Sequence, residues 1–283
     1  MDLHGAVVFL QWGVGIMAFC WVTGRHRLVS PGYGIVNRVV SLALAVASVA
    51  TARVVGGAPG GMVGAAGVFA AAVGVAIGTS LVCRGTGEAA RRIAEARRQR
   101  VASAIGREAS RPPAGSDGPT AREYPPLLDL VVATVGCTSL IAVGVGGLAG
   151  VVEIGRVVVG ALFLGSVTSA MLLGHWYLVQ PGLPRAPLEE LVRLSGLVLP
   201  VEVTALLLPP GMVALVGSPS RDGWGGLLVW AWILSVATTA GLLVAARAAL
   251  REPRYSAVMA TTGLLYLAIL TAFGTDLVAR ALL

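Results

Sequence analysis

Apolar runs of about twenty residues recur along the whole 283-residue chain, and they restrict its fold more than any other feature. A run of this length is what an α-helix needs to cross the hydrocarbon core of a bilayer. Only 12% of the residues are charged, against roughly 25% in a soluble domain. The pattern therefore predicts an all-α polytopic membrane protein. Its eight predicted spans cover residues 5–23, 35–55, 62–83, 126–148, 152–178, 189–216, 226–247 and 255–280.

Arginine, which replaces lysine entirely in this chain, indicates how the spans are oriented. Arginines occur in every second connection: Arg25 and Arg27 after span 1, nine between Arg84 and Arg122 after span 3, Arg185 after span 5, and Arg247, Arg251 and Arg254 after span 7. The alternate connections are nearly free of arginine. Because positively charged loops stay on the cytoplasmic side, the sequence predicts a multi-pass protein of the cytoplasmic membrane with both termini outside.

The longest connection, residues 84–124, separates spans 1–3 (residues 1–83) from spans 4–8 (residues 125–283). Its first part is rich in alanine and arginine and predicts a basic helix, and its second part is a linker rich in proline and glycine. The basic helix is predicted either to anchor the topology against anionic lipid headgroups or to dock a soluble cytoplasmic protein.

Two stretches of nine residues indicate an internal repeat. "GRHRLVSPG" (24–32) ends span 1 and "GHWYLVQPG" (174–182) ends span 5, and five of the nine positions agree without a gap. A second echo links "VVATVG" in span 4 with "VMATTG" in span 8. We therefore predict two tandem four-helix halves, residues 1–150 and 151–283, related as parallel repeats by an axis along the membrane normal.

The repeat places two polar groups at the cytoplasmic ends of spans 1 and 5, where they predict a ligand pocket across the repeat axis. Its members are Arg25, His26, Arg27, His175, Trp176 and Tyr177. Such a pocket would hold a quinone headgroup, a lipid phosphate or a small anion. Arginine donates hydrogen bonds to phosphate or carboxylate oxygens, and histidine can give and take protons. The alternative is an aromatic belt at the headgroups. Haem is disfavoured, since His26 lies in a loop between two arginines rather than within a helix.

A second set of polar groups lies in the outer half of the predicted bundle. Glu202 is the acid deepest within an apolar run, and Arg53 lies at a similar depth, so an ion pair between them is predicted across the two halves. Two further pairs share a helix face by their spacing: Glu153 with Arg156, and Asp276 with Arg280. These groups are predicted either to stabilise the structure near the interface or to form an ion or proton path with Glu202 as the carrier.

Span 6 is predicted to be interrupted, since Pro200, Pro209 and Pro210 remove backbone donors. Broken helices expose backbone groups at the substrate sites of transporters, although proline kinks also occur in helices without such a function.

Three functions are compatible with the sequence. The first is a non-haem membrane subunit or redox accessory protein, within a membrane complex, that binds a quinone- or lipid-like ligand near His175. The second is a small-solute or ion transporter that uses Glu202 and Arg53, and the third is a structural or assembly protein. Metal and nucleic-acid sites are not predicted, because the three cysteines are far apart and topology explains the positive charge.

Overall fold

The computed structural model describes residues 4–83, 95–96, 98–99, 102–103, 123–145, 150–180, 183–208, 211–219 and 223–283, and regular structure in these residues is entirely helical. The helices are α1 (Gly5–Gly24), α2 (Pro31–Val54), α3 (Met62–Val82), α4 (Leu127–Val145), α5 (Val151–Val179), α6 (Ala186–Leu207), α7 (Met212–Val216), α8 (Leu227–Leu250) and α9 (Tyr255–Leu282). They follow the predicted spans to within a few residues, except that the sixth span is divided into α6 and the short α7. The predicted basic helix and linker lie largely outside the described residues.

Six of the described helices are long and apolar enough to cross a membrane, namely α1, α2, α3, α5, α8 and α9. The apolar stretch of α4 is shorter, and α6 carries Glu190, Arg193 and Glu202 even in its most apolar part. Large apolar side chains on the outside of the bundle are exposed, among them Val46, Val75, Trp230, Val244 and Leu270. Because soluble proteins rarely expose so much apolar surface, these helices describe a multi-pass helical membrane protein.

The eight long helices of the described chain form two groups of four. In the first group, α1 packs on α2, α2 on α3 and α3 on α4, and α4 returns to α1. In the second group, α5 packs on α6, α6 on α8 and α8 on α9, and α9 returns to α5. The groups meet chiefly where α1 packs along α5, so the first helix of each group lies at the centre of the molecule.

The contact between α1 and α5 is made by the backbone at Gly15 and Gly165, and we call it the glycine seam. A Cβ added to Gly15 would lie 1.8 Å from the carbonyl oxygen of Ala161. One added to Gly165 would lie 2.4 Å from the Cα of Gly15. Small residues let membrane helices approach this closely, and neither position has room for a side chain.

The described parts of the connections that carry arginine lie at one end of the bundle, which we call the basic end. Arg25 pairs with Glu190 at the start of α6, and Arg27 pairs with Glu123 ahead of α4. Arg185 donates to two backbone carbonyls in the turn between α8 and α9. Tertiary contacts thus group the same connections that the sequence predicts to share one side.

The predicted interruption of the sixth span lies later than Pro200. This proline lies inside α6 without ending it, since neighbouring helices can satisfy the backbone groups that a proline frees in a membrane helix. The helix ends at Leu207, and α7 begins at Met212. Pro209 and Pro210 fall between them, outside the described residues.

Candidate functional site

The six residues predicted to form one pocket at the basic end are dispersed in the structure. His175 is exposed on the outside of α5, where its Nδ1 lies 3.2 Å from the hydroxyl oxygen of Tyr266 on α9. Arg25 and His26 lie beside the carboxylate of Glu190 instead. His175 therefore contacts α9, whereas Arg25 and His26 contact α6.

The other three predicted residues also have separate partners. Arg27 pairs with Glu123. Trp176 donates from its ring nitrogen to Ser30 Oγ at 3.1 Å, which links the end of α5 to the start of α2. Tyr177 is buried and donates its hydroxyl to a carbonyl of the loop that follows α5. The structure therefore distributes the six residues among separate contacts.

At the end opposite the basic end, polar residues do converge. Gln11 of α1, Glu202 of α6, and Asp276 and Arg280 of α9 form a buried group that we call the carboxylate cluster. Arg280 Nε donates to Asp276 Oδ1 at 2.8 Å, the pair predicted from their spacing. Gln11 Nε2 lies 3.3 and 3.4 Å from the two carboxylate oxygens of Asp276 and donates to them. The amide of Gln11 thus connects α1 to the pair of Asp276 and Arg280 on α9.

Gly160 of α5 leaves room for the carboxylate cluster. A Cβ at this position would lie 2.5 Å from Gln11 Nε2 and 2.7 Å from Asp276 Oδ1. Arg280 Nη2 also donates to the backbone carbonyl of Arg156 at 3.2 Å, so α5 forms one wall of the cluster. The sequence does not predict Gln11 or Gly160 as members, because one amide and one glycine in apolar runs give no sign of which helix they face.

Glu202 is completely buried, and neither of its carboxylate oxygens accepts a hydrogen bond from another residue. The charged groups that act on it are Asp276, whose carboxylate lies within hydrogen-bond reach of a protonated Glu202, and Arg280. Arg53 is exposed at the end of α2, so the ion pair predicted between Arg53 and Glu202 is not formed. The physical reason is the grouping of the helices, since α6 packs on α5 and α8 rather than on α2.

The carboxylate cluster has acceptors in excess. Glu202 and Asp276 together carry two negative charges when ionised, and Arg280 carries one positive charge. The amide oxygen of Gln11 is buried and also lacks a partner. With the two oxygens of Glu202, the cluster therefore contains three oxygens that accept no hydrogen bond, which is unusual because buried polar groups are nearly always hydrogen-bonded.

Arg156 connects the carboxylate cluster to the break after α6. It is buried and pairs with Glu153, as their spacing predicts. Its Nε donates to the carbonyl oxygen of Ala205 at 3.0 Å, and its Nη2 donates to that of Leu208 at 2.6 Å. The last carbonyls of a helix lack helical partners and favour a nearby cation. Arg156 thus holds the end of α6 against α5.

A second buried cluster, near the basic end of the first group, was not predicted. Arg38 of α2 donates from Nε and Nη2 to the two oxygens of Asp129 of α4, at 2.8 and 2.6 Å. Its Nη1 donates to Ser80 Oγ of α3 at 3.0 Å. We call these three residues, together with Tyr124, the ion-pair cluster. The signal was weak because both charges lie near the starts of their spans, where long charged side chains commonly reach the headgroups.

Tyr124 covers the ion-pair cluster from the connection ahead of α4. Its hydroxyl donates to Asp129 Oδ1 at 2.7 Å, and its ring centre lies 3.8 Å from the guanidinium carbon of Arg38. Burial, together with the neighbouring carboxylate, raises the pKa of Tyr124 well above its ordinary value, so the hydroxyl stays protonated as a donor.

Comparison of the chain with protein-family models, with curated proteins and with solved structures gives no match. Within the ranges that the structure describes, no three His, Cys, Asp or Glu side chains are grouped closely enough to hold a metal ion. The two buried clusters are therefore the basis on which a function can be inferred.

Proposed function

We propose that the protein is an ion transporter of the cytoplasmic membrane, which moves one positive charge, a proton or an alkali cation, through the carboxylate cluster with Glu202 as the carrier. The observation that carries this proposal is the complete burial of Glu202 with no hydrogen-bond donor to either carboxylate oxygen. An acidic side chain at the centre of a membrane helix costs roughly 3 kcal/mol. Such residues are rare in membrane helices and commonly mark ion or proton pathways.

The charge of the carboxylate cluster favours a monovalent ligand. One proton on Glu202, or one alkali cation beside it, would bring the sum of Glu202, Asp276 and Arg280 to zero. The oxygens of Glu202 and Gln11 that accept no hydrogen bond are the type of ligand that hard cations prefer, and a protonated Glu202 would donate to the neighbouring carboxylate of Asp276.

The break between α6 and α7 is the element that we expect to move. Glu202 precedes the end of α6 by only about one and a half turns at 3.6 residues per turn. The glycine seam brings the backbones of α1 and α5 into contact, so these two helices are expected to move together. The end of α6, which Arg156 holds through two carbonyls, would then move against them, as broken helices do in transporters.

We further propose eight spans in two tandem halves, with the basic end in the cytoplasm and both termini outside. The alignment that matches Gly24 with Gly174 also matches Gly15 with Gly165, and these last two glycines contact each other. Equivalent positions meet in this way at a two-fold axis. The same order of helix contacts within each group supports the same relation. A ligand pocket around His175 is not part of the proposal, because its predicted members are dispersed.

Flux measurements in proteoliposomes test the proposal. The purified protein is reconstituted with a pH-sensitive dye or a sodium-sensitive dye inside the vesicles, and a gradient of the corresponding ion is imposed. We expect flux of one of these ions in the native protein and the level of protein-free vesicles in Glu202→Gln. The matched control is Glu252→Gln, which neutralises an exposed acid in the turn after α8 and should keep native flux.

Two results would overturn the proposal. Native flux in Glu202→Gln would exclude this residue as the carrier. The absence of proton and sodium flux in the native protein would exclude transport of these ions and favour a structural or assembly role.

A further inference from the structure

A cavity of about 190 Å³ lies at the basic end of the first group of helices, remote in the fold from the carboxylate cluster. It lies between the end of α1, the start of α2, the end of α3 and the connection that leads into α4. Its buried part is formed by Cys20, Tyr33, Arg38 and Asp129, and Arg27 and Glu123 border it at the surface. All four residues of the ion-pair cluster thus line the cavity, which gives it a built polar wall.

Arg38 has hydrogen-bond donors left over for a ligand. A guanidinium has five N–H donors, and Asp129 and Ser80 accept three of those of Arg38. One N–H therefore remains on each terminal nitrogen. Gly34, which also lines the cavity, leaves this side of the guanidinium uncovered, because a Cβ there would lie 2.9 Å from Nη1 and 3.2 Å from Nη2.

The acceptors of the cavity, by contrast, are occupied. Asp129 accepts from Arg38 twice, from the Tyr124 hydroxyl at 2.7 Å and from Cys20 Sγ at 3.6 Å. Glu123 is paired with Arg27. Among the described residues that line the cavity, the two arginines and two acids also cancel in charge. A fitting ligand therefore accepts hydrogen bonds and carries no net charge itself, which disfavours a phosphate or a carboxylate.

The remaining walls select for an apolar ring. Val29, Pro31, Ile35 and Pro126 line the cavity together with the rings of Tyr33 and Tyr124. An engineered protein cavity of about 150 Å³ is known to hold benzene, so this slightly larger cavity has room for one six-membered ring with small substituents. Apolar walls of this kind suit a molecule that also partitions into the bilayer.

We propose that this cavity binds the head ring of a neutral, lipid-soluble carbonyl compound of the quinone class, with a ring carbonyl oxygen accepting from the terminal nitrogens of Arg38. The proposal concerns binding alone and does not depend on transport through Glu202.

Protection of Cys83 tests the proposal, because this cysteine lines the cavity and is partly exposed. The experiment uses the full chain in detergent with Cys20→Ser and Cys137→Ala, so that Cys83 is the remaining thiol. Its reaction with N-ethylmaleimide is followed with and without ubiquinone-1, whose ring carbons are all substituted and do not alkylate thiols. At a ligand concentration about ten times the dissociation constant, labelling should slow about tenfold, since only free protein reacts.

Gly34→Ala in the same background should lose this protection, because its methyl group meets the terminal nitrogens of Arg38. Gly78→Ala is the matched control, since it places a methyl group on the exposed face of α3 with no atom within 4 Å, and it should keep the protection. If Gly34→Ala does not fold, Ile35→Phe fills the cavity without touching the ion pair and should also lose protection.

Three results would overturn the proposal. The first is unchanged labelling of Cys83 with ubiquinone-1 in the background protein. The second is equal protection in Gly34→Ala or Ile35→Phe. The third is protection by sodium phosphate instead of ubiquinone-1, which would assign the cavity to an anion. Glu202→Gln in the same background should keep the protection even if transport fails.

Discussion

The ion-pair cluster and the carboxylate cluster contain the same types of charged group, but they differ in how many hydrogen bonds their carboxylates accept. Asp129 accepts four hydrogen bonds, two of them from Arg38, whereas Glu202 accepts none. Both carboxylates are almost completely inaccessible to solvent. Burial alone therefore does not separate a charge that stabilises the fold from one that is available for chemistry. The number of hydrogen-bond donors around the carboxylate distinguishes the two cases, because a buried charge without such partners destabilises the fold.

The two clusters also differ between the proposed halves. The repeat alignment places Leu188 at the position of Arg38, and Ala52 at the position of Glu202. Neither cluster thus has a counterpart in the other half. The halves share their order of helix contacts, while the charged groups of the two clusters come from different halves and lie at opposite ends of the bundle.

The largest effect on stability is expected from Asp129→Asn, which removes the carboxylate of the ion-pair cluster. Arg38 would then stay buried, at 5% exposure, without a counter-ion, and the free energy of unfolding should fall by about 3–5 kcal/mol. Unfolding by SDS in detergent micelles, followed by circular dichroism, measures this change. The double variant Arg38→Met with Asp129→Leu should regain most of the loss, because it removes both charges. Native stability in Asp129→Asn alone would contradict the difference drawn between the clusters.

The second effect concerns the seam that joins the halves in which the clusters lie. Gly165→Ala forces a methyl group into the backbone of α1, and we expect the free energy of unfolding to fall by at least about 2 kcal/mol. Gly155→Ala on the same helix has no atom within 4 Å of the added Cβ and should change stability by less than about 0.5 kcal/mol. The same unfolding assay compares them, and equal stabilities would mean that α1 and α5 separate readily.

The third prediction sharpens the comparison at Glu202. Glu202→Gln should leave the free energy of unfolding unchanged or raise it by up to about 2 kcal/mol, because it replaces an unpaired acid by a neutral amide. Asp276→Asn is the internal control, and it should lower stability because Arg280 loses its counter-ion and Gln11 loses one of its two acceptor oxygens. A destabilisation by Glu202→Gln as large as that by Asp129→Asn would show that Glu202 also has a structural partner.

The smallest effect is expected at the cover of the ion-pair cluster. Tyr124→Phe keeps the ring against Arg38 and removes one hydrogen bond to Asp129, so the free energy of unfolding should fall by about 1 kcal/mol. Tyr266→Phe removes a hydroxyl that meets the exposed His175 and should change it by less than about 0.5 kcal/mol. If both variants lower the free energy of unfolding equally, the hydrogen bond from Tyr124 to Asp129 stabilises the protein no more than a surface contact.

Helix positions and short-range pairs could be predicted from the sequence, whereas most of the carboxylate cluster could not. The pairs of Glu153 with Arg156 and of Asp276 with Arg280 form as predicted, because three- and four-residue spacings place side chains on one helix face. The depth of Glu202 in an apolar run predicts a buried acid, which the structure has, but the predicted ion pair with Arg53 is wrong. Depth along the membrane normal says nothing of which neighbouring helix a side chain faces.

The sequence by itself determined the class of protein, the approximate positions of its long helices and the common side of its basic connections. These follow from local composition, because a helix satisfies its own backbone within a bilayer and charge near each span directs its orientation. Only the tertiary structure decided that Arg38 meets Asp129 and that Gln11 meets Asp276, which lie 91 and 265 residues apart in the chain. These contacts depend on the rotation of each helix about its axis. When lipid and protein neighbours are equally apolar, the hydropathy of a span does not reveal that rotation, and side-chain packing decides it.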